Sequence, residues 1–162
     1  MNKNEYLSSV PLQAEAFAIS ELFKNIDNSI LYISKDDREI FDIKEKIKWI
    51  LPEVEILVYR SWDQIPYDNV SPSKEIQSER INTLYNLSKN TNKRIILTSI
   101  NAIIQKTIDK NFLNENMIEI RVNKKMNFNN LAIKLSSLGY ERTSVVRDKT
   151  EFAIRGSIID IF

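Results

Sequence analysis

The sequence predicts an α/β fold, in which a parallel sheet with helices on both faces is followed by a small α+β domain with antiparallel strands. Short apolar runs alternate with longer segments whose apolar residues recur at helical spacing. The runs carry few polar residues, which is typical of parallel strands buried on both faces. Beyond about residue 112 the pattern changes to alternating apolar and polar residues, which predicts half-exposed strands.

The first domain is predicted to cover residues 1–112. Pro11 and Pro72 suit first helical turns, where the missing N–H of proline costs nothing. The acidic turn at 36–39 suits the positive end of a helix dipole. Strands are predicted at 29–34, 55–59 and 94–99, and helices from near Pro11 and at 36–51, 71–89 and 101–106.

The second domain is predicted to cover residues 113–162. A half-exposed strand is expected at 117–122, and a helix is expected from a cap at Asn127 to an end at Gly139. Two antiparallel strands, at about 140–146 and 150–156, should follow. The sequence stops at Phe162 within an apolar run, so we expect this domain to be an incomplete piece of a longer protein.

Composition excludes several classes of function. The 162 residues contain no Cys, no His and two Gly, which excludes Cys/His metal sites, thiol nucleophiles and glycine-rich phosphate loops. A net charge of +1 creates no overall field that would attract nucleic acid or membrane. The lack of Cys and of any long apolar segment indicates a cytoplasmic protein without a membrane partner.

Acidic residues are the remaining candidates for catalysis or metal binding. The pattern does not bring any two of them together, and helix starts and polar loops explain their positions. We therefore predict no catalytic residues and no metal site. The candidates considered are Asp36, Asp37, Asp63, Asp68 and Glu75.

The loop at 62–73 follows the carboxyl end of a strand, where open α/β sheets bind ligands. It is either a binding loop or a long connection that packs its own aromatic side chains, and the pattern favours the second. Its larger apolar residues are Trp62, Ile65, Pro66, Tyr67 and Val70.

A predicted turn at 147–150 would place Arg142 directly opposite Arg155 and would turn Phe152 toward the core. Two arginines in opposition repel each other unless an anionic group lies over them. Either a partner supplies that group, or an acid within the fold does; the pattern leaves both open. The internal candidates are Glu141, Glu151 and Asp160.

Three segments resemble the N-terminal region of the bacterial transcription-repair coupling factors: WDQIPYDNVSPSKEIQSERINTLYNL at 62–87, the segment at 100–113, and GYERTSVV with EFAIRGSIIDIF at 139–162. The resemblance covers essentially the whole chain and is weakest before Ile30. This region is in turn similar to the damage-loading helicase component of the bacterial excinuclease, excinuclease B. The resemblance therefore implies a helicase-like first domain.

The resemblance also implies a function. A coupling factor recognises RNA polymerase stalled at a DNA lesion, displaces it with an ATP-driven translocase motor, and recruits another excinuclease component, excinuclease A, through its N-terminal module. Contacts with RNA polymerase and DNA would then belong to other parts of the parent protein. The parent is also expected to mask the surface for excinuclease A until activation.

The partner-binding arginines of this family fall on two positions here. One follows Tyr140 by two residues and is Arg142, and the other precedes Gly156 and is Arg155. A third arginine of the excinuclease B pattern falls on Ala153 and is absent. Phe152 is a possible apolar member of the same contact.

The resemblance finally implies a degenerate phosphate loop. The stretch SVPLQAEA has Ser9, Leu12 and Ala14 at the glycine positions of excinuclease B, and Glu15 and Ala16 at its Lys-Thr positions. Glu15 would repel a triphosphate, so no cofactor is expected. We predict a non-enzymatic recruitment module; the alternatives are a nucleotide-dependent helicase-type enzyme and a direct DNA-binding module.

Overall fold

The computed structural model describes residues 8–11, 13–64, 70–89 and 93–162. No helix within these ranges is long and apolar enough to cross a membrane. The first unit contains α1 (Glu15–Asn25), β1 (Ile30–Ser34), α2 (Asp37–Ile50), β2 (Ile56–Tyr59), α3 (Lys74–Ser88), β3 (Ile95–Ser99) and α4 (Ile100–Ile103). The second contains α5 (Lys110–Asn116), α6 (Phe128–Ser137), β4 (Glu141–Arg142), β5 (Glu151–Arg155) and β6 (Ile158–Ile161).

The three strands of the first unit form the predicted parallel sheet, in the order β1-β3-β2. Ile95 of β3 lies in register with Ile30 on one side and Ile56 on the other. After β1, the chain crosses to the opposite edge of the sheet to form β2. It then returns to the centre to form β3. Because parallel connections are right-handed, this reversal places α2 and α3 on opposite faces of the sheet.

The core of the first unit lies between the sheet and α1 with α2. Ile40, Ile43 and Ile47 recur at helical spacing along α2 and are buried. Burying one such side chain contributes about 1.5–3 kcal/mol. The side chain of Asp36 accepts the N–H groups of Arg38 and Glu39, so the acidic helix start is a true N-cap.

The second face of this sheet is covered less evenly. Helix α3 packs against β2, while β1 stands at the edge. Leu31 and Ile33 of β1 point to this second face, and they are 58% and 46% exposed. Two of the apolar side chains of β1 are therefore about half exposed to solvent in this chain.

The small sheet of the second unit is mixed, in the order β4-β5-β6. Strand β4 pairs with β5 in parallel, and β5 pairs with β6 in antiparallel orientation. Leu131 and Leu135 of α6 pack on Phe152 of β5. The predicted antiparallel pairing of 140–146 with 150–156 is therefore wrong.

Local geometry explains that correction. The carboxylate of Glu151 accepts the backbone N–H groups of Arg147 and Asp148 at 2.7 and 3.0 Å, which folds 147–151 into a compact loop. Thr150 has φ 69° within it. The antiparallel hairpin is formed instead by β5 and the next strand, β6. Gly156, with φ 58°, allows the two-residue turn between them.

The strand predicted at 117–122 is also absent from the described structure. Residues 117–121 follow α5 without regular secondary structure, and Val122, which lies in a turn, is 91% exposed. Alternation makes a segment suitable for a sheet, but a strand also requires a neighbour to pair with. Helix α5 was not predicted; Asp109 caps it, but it buries no residue and so carries no apolar stripe.

Helix α6 forms as predicted. Asn127 caps it by accepting the N–H of Asn130 at 3.1 Å. At the other end Gly139 has φ 89°, and the N–H of Tyr140 reaches the carbonyl of Leu135 at 3.0 Å. This is a Schellman ending, which requires a residue that tolerates positive φ.

Candidate functional site

Arg155 stands at the end of β5 on the face of the small sheet opposite the core. Phe152 and Ile154 of the same strand turn toward α6, so strand alternation turns Arg155 the other way. Its side chain is 62% exposed and forms an ion pair with Asp160 of β6. Ala153 pairs with Asp160 in register, so this acid lies diagonally across from Arg155 on the same face.

Arg142 does not lie opposite Arg155, and that prediction is wrong. In the parallel register Arg142 pairs with Phe152, while Arg155 pairs with Ile158. Register partners share a face, so Arg142 belongs to the α6 side of the sheet, at the exposed edge strand β4. The two arginines are therefore on opposite faces and do not repel each other directly.

Phe152 is fully buried against Leu131 and Leu135. The structure thus gives it a packing role on the core face, as the alternation predicted. A contact of Phe152 with a partner stays a prediction, and it would require the core of the small unit to open.

Three acids within the fold were candidates to neutralise the arginines, and Asp160 is the one that forms an ion pair with Arg155. Glu141 and Glu151 lie in register with each other. Backbone hydrogen bonds from Asp148 and then Arg147 hold the pKa of the Glu151 carboxyl below its usual range. Glu151 is thereby committed to its own loop.

Two of the candidate acids in the first unit, Asp37 and Asp63, form hydrogen bonds within the fold. Asp37 accepts hydrogen bonds from the Ser99 hydroxyl at 2.6 Å and from the Ser61 N–H and hydroxyl at 3.0 Å each. Asp63 accepts the N–H of Ser73 at 3.1 Å, and hydrogen bonding with Ser73 lowers its pKa. Glu75 lies in the first turn of α3, and Asp68 lies outside the described residues. Within the described ranges, no cluster of three or more acids could hold a metal ion.

Arg80 of α3 is buried, and the sequence pattern did not predict its role. Its guanidinium lies 4.1 Å from the ring centre of Tyr59 and 4.0 Å from that of Trp62. It donates hydrogen bonds to the carbonyl of Arg60, to the Tyr59 hydroxyl at 2.5 Å and to Gln105 Oε1 at 3.4 Å. Burial lowers the pKa of Arg80. Its spacing of four from the buried Ile76 was the signal that could have revealed it.

The two ends of the 62–73 loop are fixed by polar contacts. The N–H of Trp62 donates to Gln105 Oε1 at 2.9 Å, and Asp63 accepts from Ser73 as above. Val70 is exposed, whereas Ile65, Pro66 and Tyr67 lie outside the described residues. The polar groups at the carboxyl end of the sheet thus bind one another.

The stretch at 9–16, where the resemblance implies a degenerate phosphate loop, includes the start of α1 and a contact with β1. Glu15 opens α1, and its carboxylate accepts the Tyr32 hydroxyl at 2.8 Å. Burial, with this hydrogen bond, raises the pKa of Tyr32. Ala14 caps α1 without a side-chain hydrogen bond, Ala16 is buried, and Ser9 has φ 62°. Leu12 lies outside the described residues.

Comparison with known proteins identifies relatives along most of the chain. Residues 118–162 match a family model described as the UvrB interaction domain. A transcription-repair-coupling factor of Haemophilus influenzae is 27% identical over 161 residues, 99% of this chain. The protein of that name from Borreliella burgdorferi is 33% identical over 82% of the chain, and the one from Escherichia coli is 23% identical over 91%.

The resemblance to the transcription-repair coupling factors is confirmed. The chain spans only part of these relatives, 14% of the Haemophilus influenzae protein and 12% of the Borreliella burgdorferi protein. The match to the UvrB interaction domain falls on the second unit, which carries α6, the small sheet and both candidate arginines.

Proposed function

We propose that this chain is a recruitment module of a transcription-repair coupling factor and that it binds excinuclease A through its second unit. The observation that carries the proposal is the UvrB interaction domain match at 118–162, within a chain that is similar to coupling factors over almost its whole length. The module then brings excinuclease A to lesions where RNA polymerase has stalled, in the cytoplasm, and the parent's motor, DNA contacts and polymerase contacts lie outside this chain.

Arg155 is the central contact of the proposed surface. Its guanidinium is exposed at the end of β5, on the side of the small sheet that faces away from α6. Planar guanidinium groups bind carboxylates in a bidentate manner, which suits recognition of an acidic protein surface. Arg142 lies on the other face, so a partner that covers Arg155 reaches Arg142 only around the edge strand β4.

We expect Arg155→Ala to weaken binding of the full chain to excinuclease A more than Arg142→Ala does. Loss of one partner of a charge pair that becomes buried on binding costs about 2–5 kcal/mol, whereas a contact at the rim costs less. Isothermal titration calorimetry with purified excinuclease A measures both values.

Arg121→Ala is the matched control. Arg121 is an exposed arginine of the second unit that pairs with Glu119, and its loss should leave the affinity unchanged. If Arg155→Ala and Arg142→Ala both bind as tightly as the unsubstituted chain, the proposed surface is wrong.

The first unit is proposed to be a helicase-like domain with a degenerate phosphate loop, and this segment is proposed to be non-enzymatic. In support, Glu15 stands where the resemblance would require lysine, and its carboxylate is hydrogen-bonded to Tyr32. The carboxyl ends of the strands, where α/β sheets bind ligands, are joined by the hydrogen bonds of Asp37 with Ser61 and Ser99.

A further inference from the structure

The ion pair between Arg155 and Asp160 neutralises the arginine that the proposed function places at the centre of the partner contact. The contact joins Arg155 Nη2 to Asp160 Oδ2, and the two side chains are 62% and 38% exposed. It runs diagonally between neighbouring antiparallel strands, from a residue next to the β5–β6 turn. An exposed pair of this kind contributes little to stability, so a stronger acceptor can displace it.

The neighbouring acids do not share this role. Glu151 binds the backbone of its own loop through the N–H groups of Arg147 and Asp148. Glu141 lies in register with Glu151 on β4, at the opposite end of β5 from Arg155. Asp160 is thus the acid whose carboxylate forms an ion pair with the guanidinium of Arg155.

We propose that Asp160 is an intramolecular competitor for Arg155, which an acidic group of the partner must displace or share. This inference rests on the proposed function and adds a residue of this chain, Asp160, that limits the affinity of Arg155 for carboxylate side chains of the partner. Asp160 lowers the affinity in two ways, because it occupies an N–H donor and because its charge repels the approaching carboxylate.

A positioning role for Asp160 would have the opposite effect. A carboxylate that held the guanidinium in its binding orientation would raise the affinity for the partner, and its removal would weaken binding. The contact involves a single guanidinium nitrogen, Nη2, whereas the orientation of a planar fork is fixed by two parallel hydrogen bonds. The geometry therefore favours competition.

The test is a double-mutant cycle on the full chain with purified excinuclease A, measured by calorimetry. We expect Asp160→Asn to bind roughly two- to fivefold tighter, the range that corresponds to the strength of an exposed ion pair. Arg155→Ala should weaken binding, and Asp160→Asn should have no further effect in the Arg155→Ala background. Asp42→Asn, which removes an exposed acid of α2 and changes the net charge equally, should leave the affinity unchanged.

The outcomes separate the two proposals. If Arg155→Ala weakens binding but Asp160→Asn binds no tighter, Asp160 is not a competitor and the proposed function stands. If Asp160→Asn tightens binding equally in the Arg155→Ala background, the effect is general electrostatics and the inference is also wrong. If the unsubstituted chain does not bind excinuclease A, the proposed function fails and the inference fails with it. Equal unfolding temperatures of the four variants exclude a folding artefact.

Discussion

Arg80 illustrates how one side chain can order a loop far from it in sequence. Its guanidinium lies over the rings of Tyr59 and Trp62 and donates a hydrogen bond to the backbone carbonyl of Arg60. Gln105 links the same guanidinium to the N–H of Trp62. The loop that begins at Trp62 therefore starts from a fixed position, although its residues 65–69 lie outside the described structure.

We expect Arg80→Ala to lower the free energy of unfolding by roughly 2–4 kcal/mol, because it leaves buried hydrogen-bonding partners unpaired and removes the aromatic stacking. Urea unfolding followed by circular dichroism measures the loss. Arg38→Ala, at an exposed arginine of α2, is the control and should change stability by less than about 0.5 kcal/mol. Equal losses in both variants would contradict the stacking role.

Residue roles could be predicted where they depend on near neighbours in the chain. Asn127 lies within three residues of the N–H group that it caps, so its role followed from the sequence, and Asp36 was placed correctly at a helix start, although its capping role was not predicted. Arg80 binds Tyr59, more than twenty residues earlier, and no local pattern indicates that contact. Arginine also favours exposed helix positions, which made burial the less expected state.

At the scale of elements, the ending of α6 sets the direction of the chain into β4. Gly139 with φ 89° allows the hydrogen bond from Tyr140 to Leu135, and no atom lies within 4 Å of the position that a Cβ would take there. The position therefore demands the left-handed conformation but has room for a side chain. Conformational strain is the sole cost of a substitution.

We expect Gly139→Ala to destabilise the chain by about 1–2 kcal/mol, since an alanine is strained at positive φ. Gly139→Asn is the matched variant and should cost clearly less, because asparagine tolerates this conformation and also ends helices. Thermal unfolding of both variants provides the measurement. If asparagine costs as much as alanine or more, tolerance of the left-handed conformation does not determine the effect.

Strand positions could be predicted better than strand partners. The three parallel strands were each predicted within one residue of their observed ends. Pairing in the small sheet was predicted wrongly because β5 has two possible antiparallel neighbours in sequence, one before it and one after it. Gly156 makes the later turn favourable, and the loop closed by Glu151 prevents the earlier one.

At the scale of the whole molecule, we propose a binding protein whose first unit has the type of fold found in nucleotide-binding domains. The net charge of +1 provides no general attraction for DNA. The sequence resemblance could predict this outline, and the similarity to known coupling factors confirms the resemblance. The faces of Arg142 and Arg155 required the observed register, since a parallel pairing and an antiparallel one place them differently.

A ligand that binds the native state raises the unfolding temperature. Because we propose that the chain does not bind nucleotide, we expect Mg-ATP to leave its unfolding temperature unchanged. Duplex DNA binding at physiological salt should be undetectable by fluorescence anisotropy. Excinuclease B serves as the positive control for the nucleotide. A rise in unfolding temperature with Mg-ATP would support a helicase-type enzyme, and DNA affinity that falls steeply with salt would support a DNA-binding module.

The carboxylate of Asp37 has a consequence for how the parallel sheet moves. It sits just after β1, binds Ser61 just after β2, and binds Ser99 at the last position of β3. The end of no single strand can open without breaking a hydrogen bond to this one group. We therefore expect fraying at the carboxyl edge to be cooperative, so that the three strand ends exchange with solvent as a single unit instead of one by one.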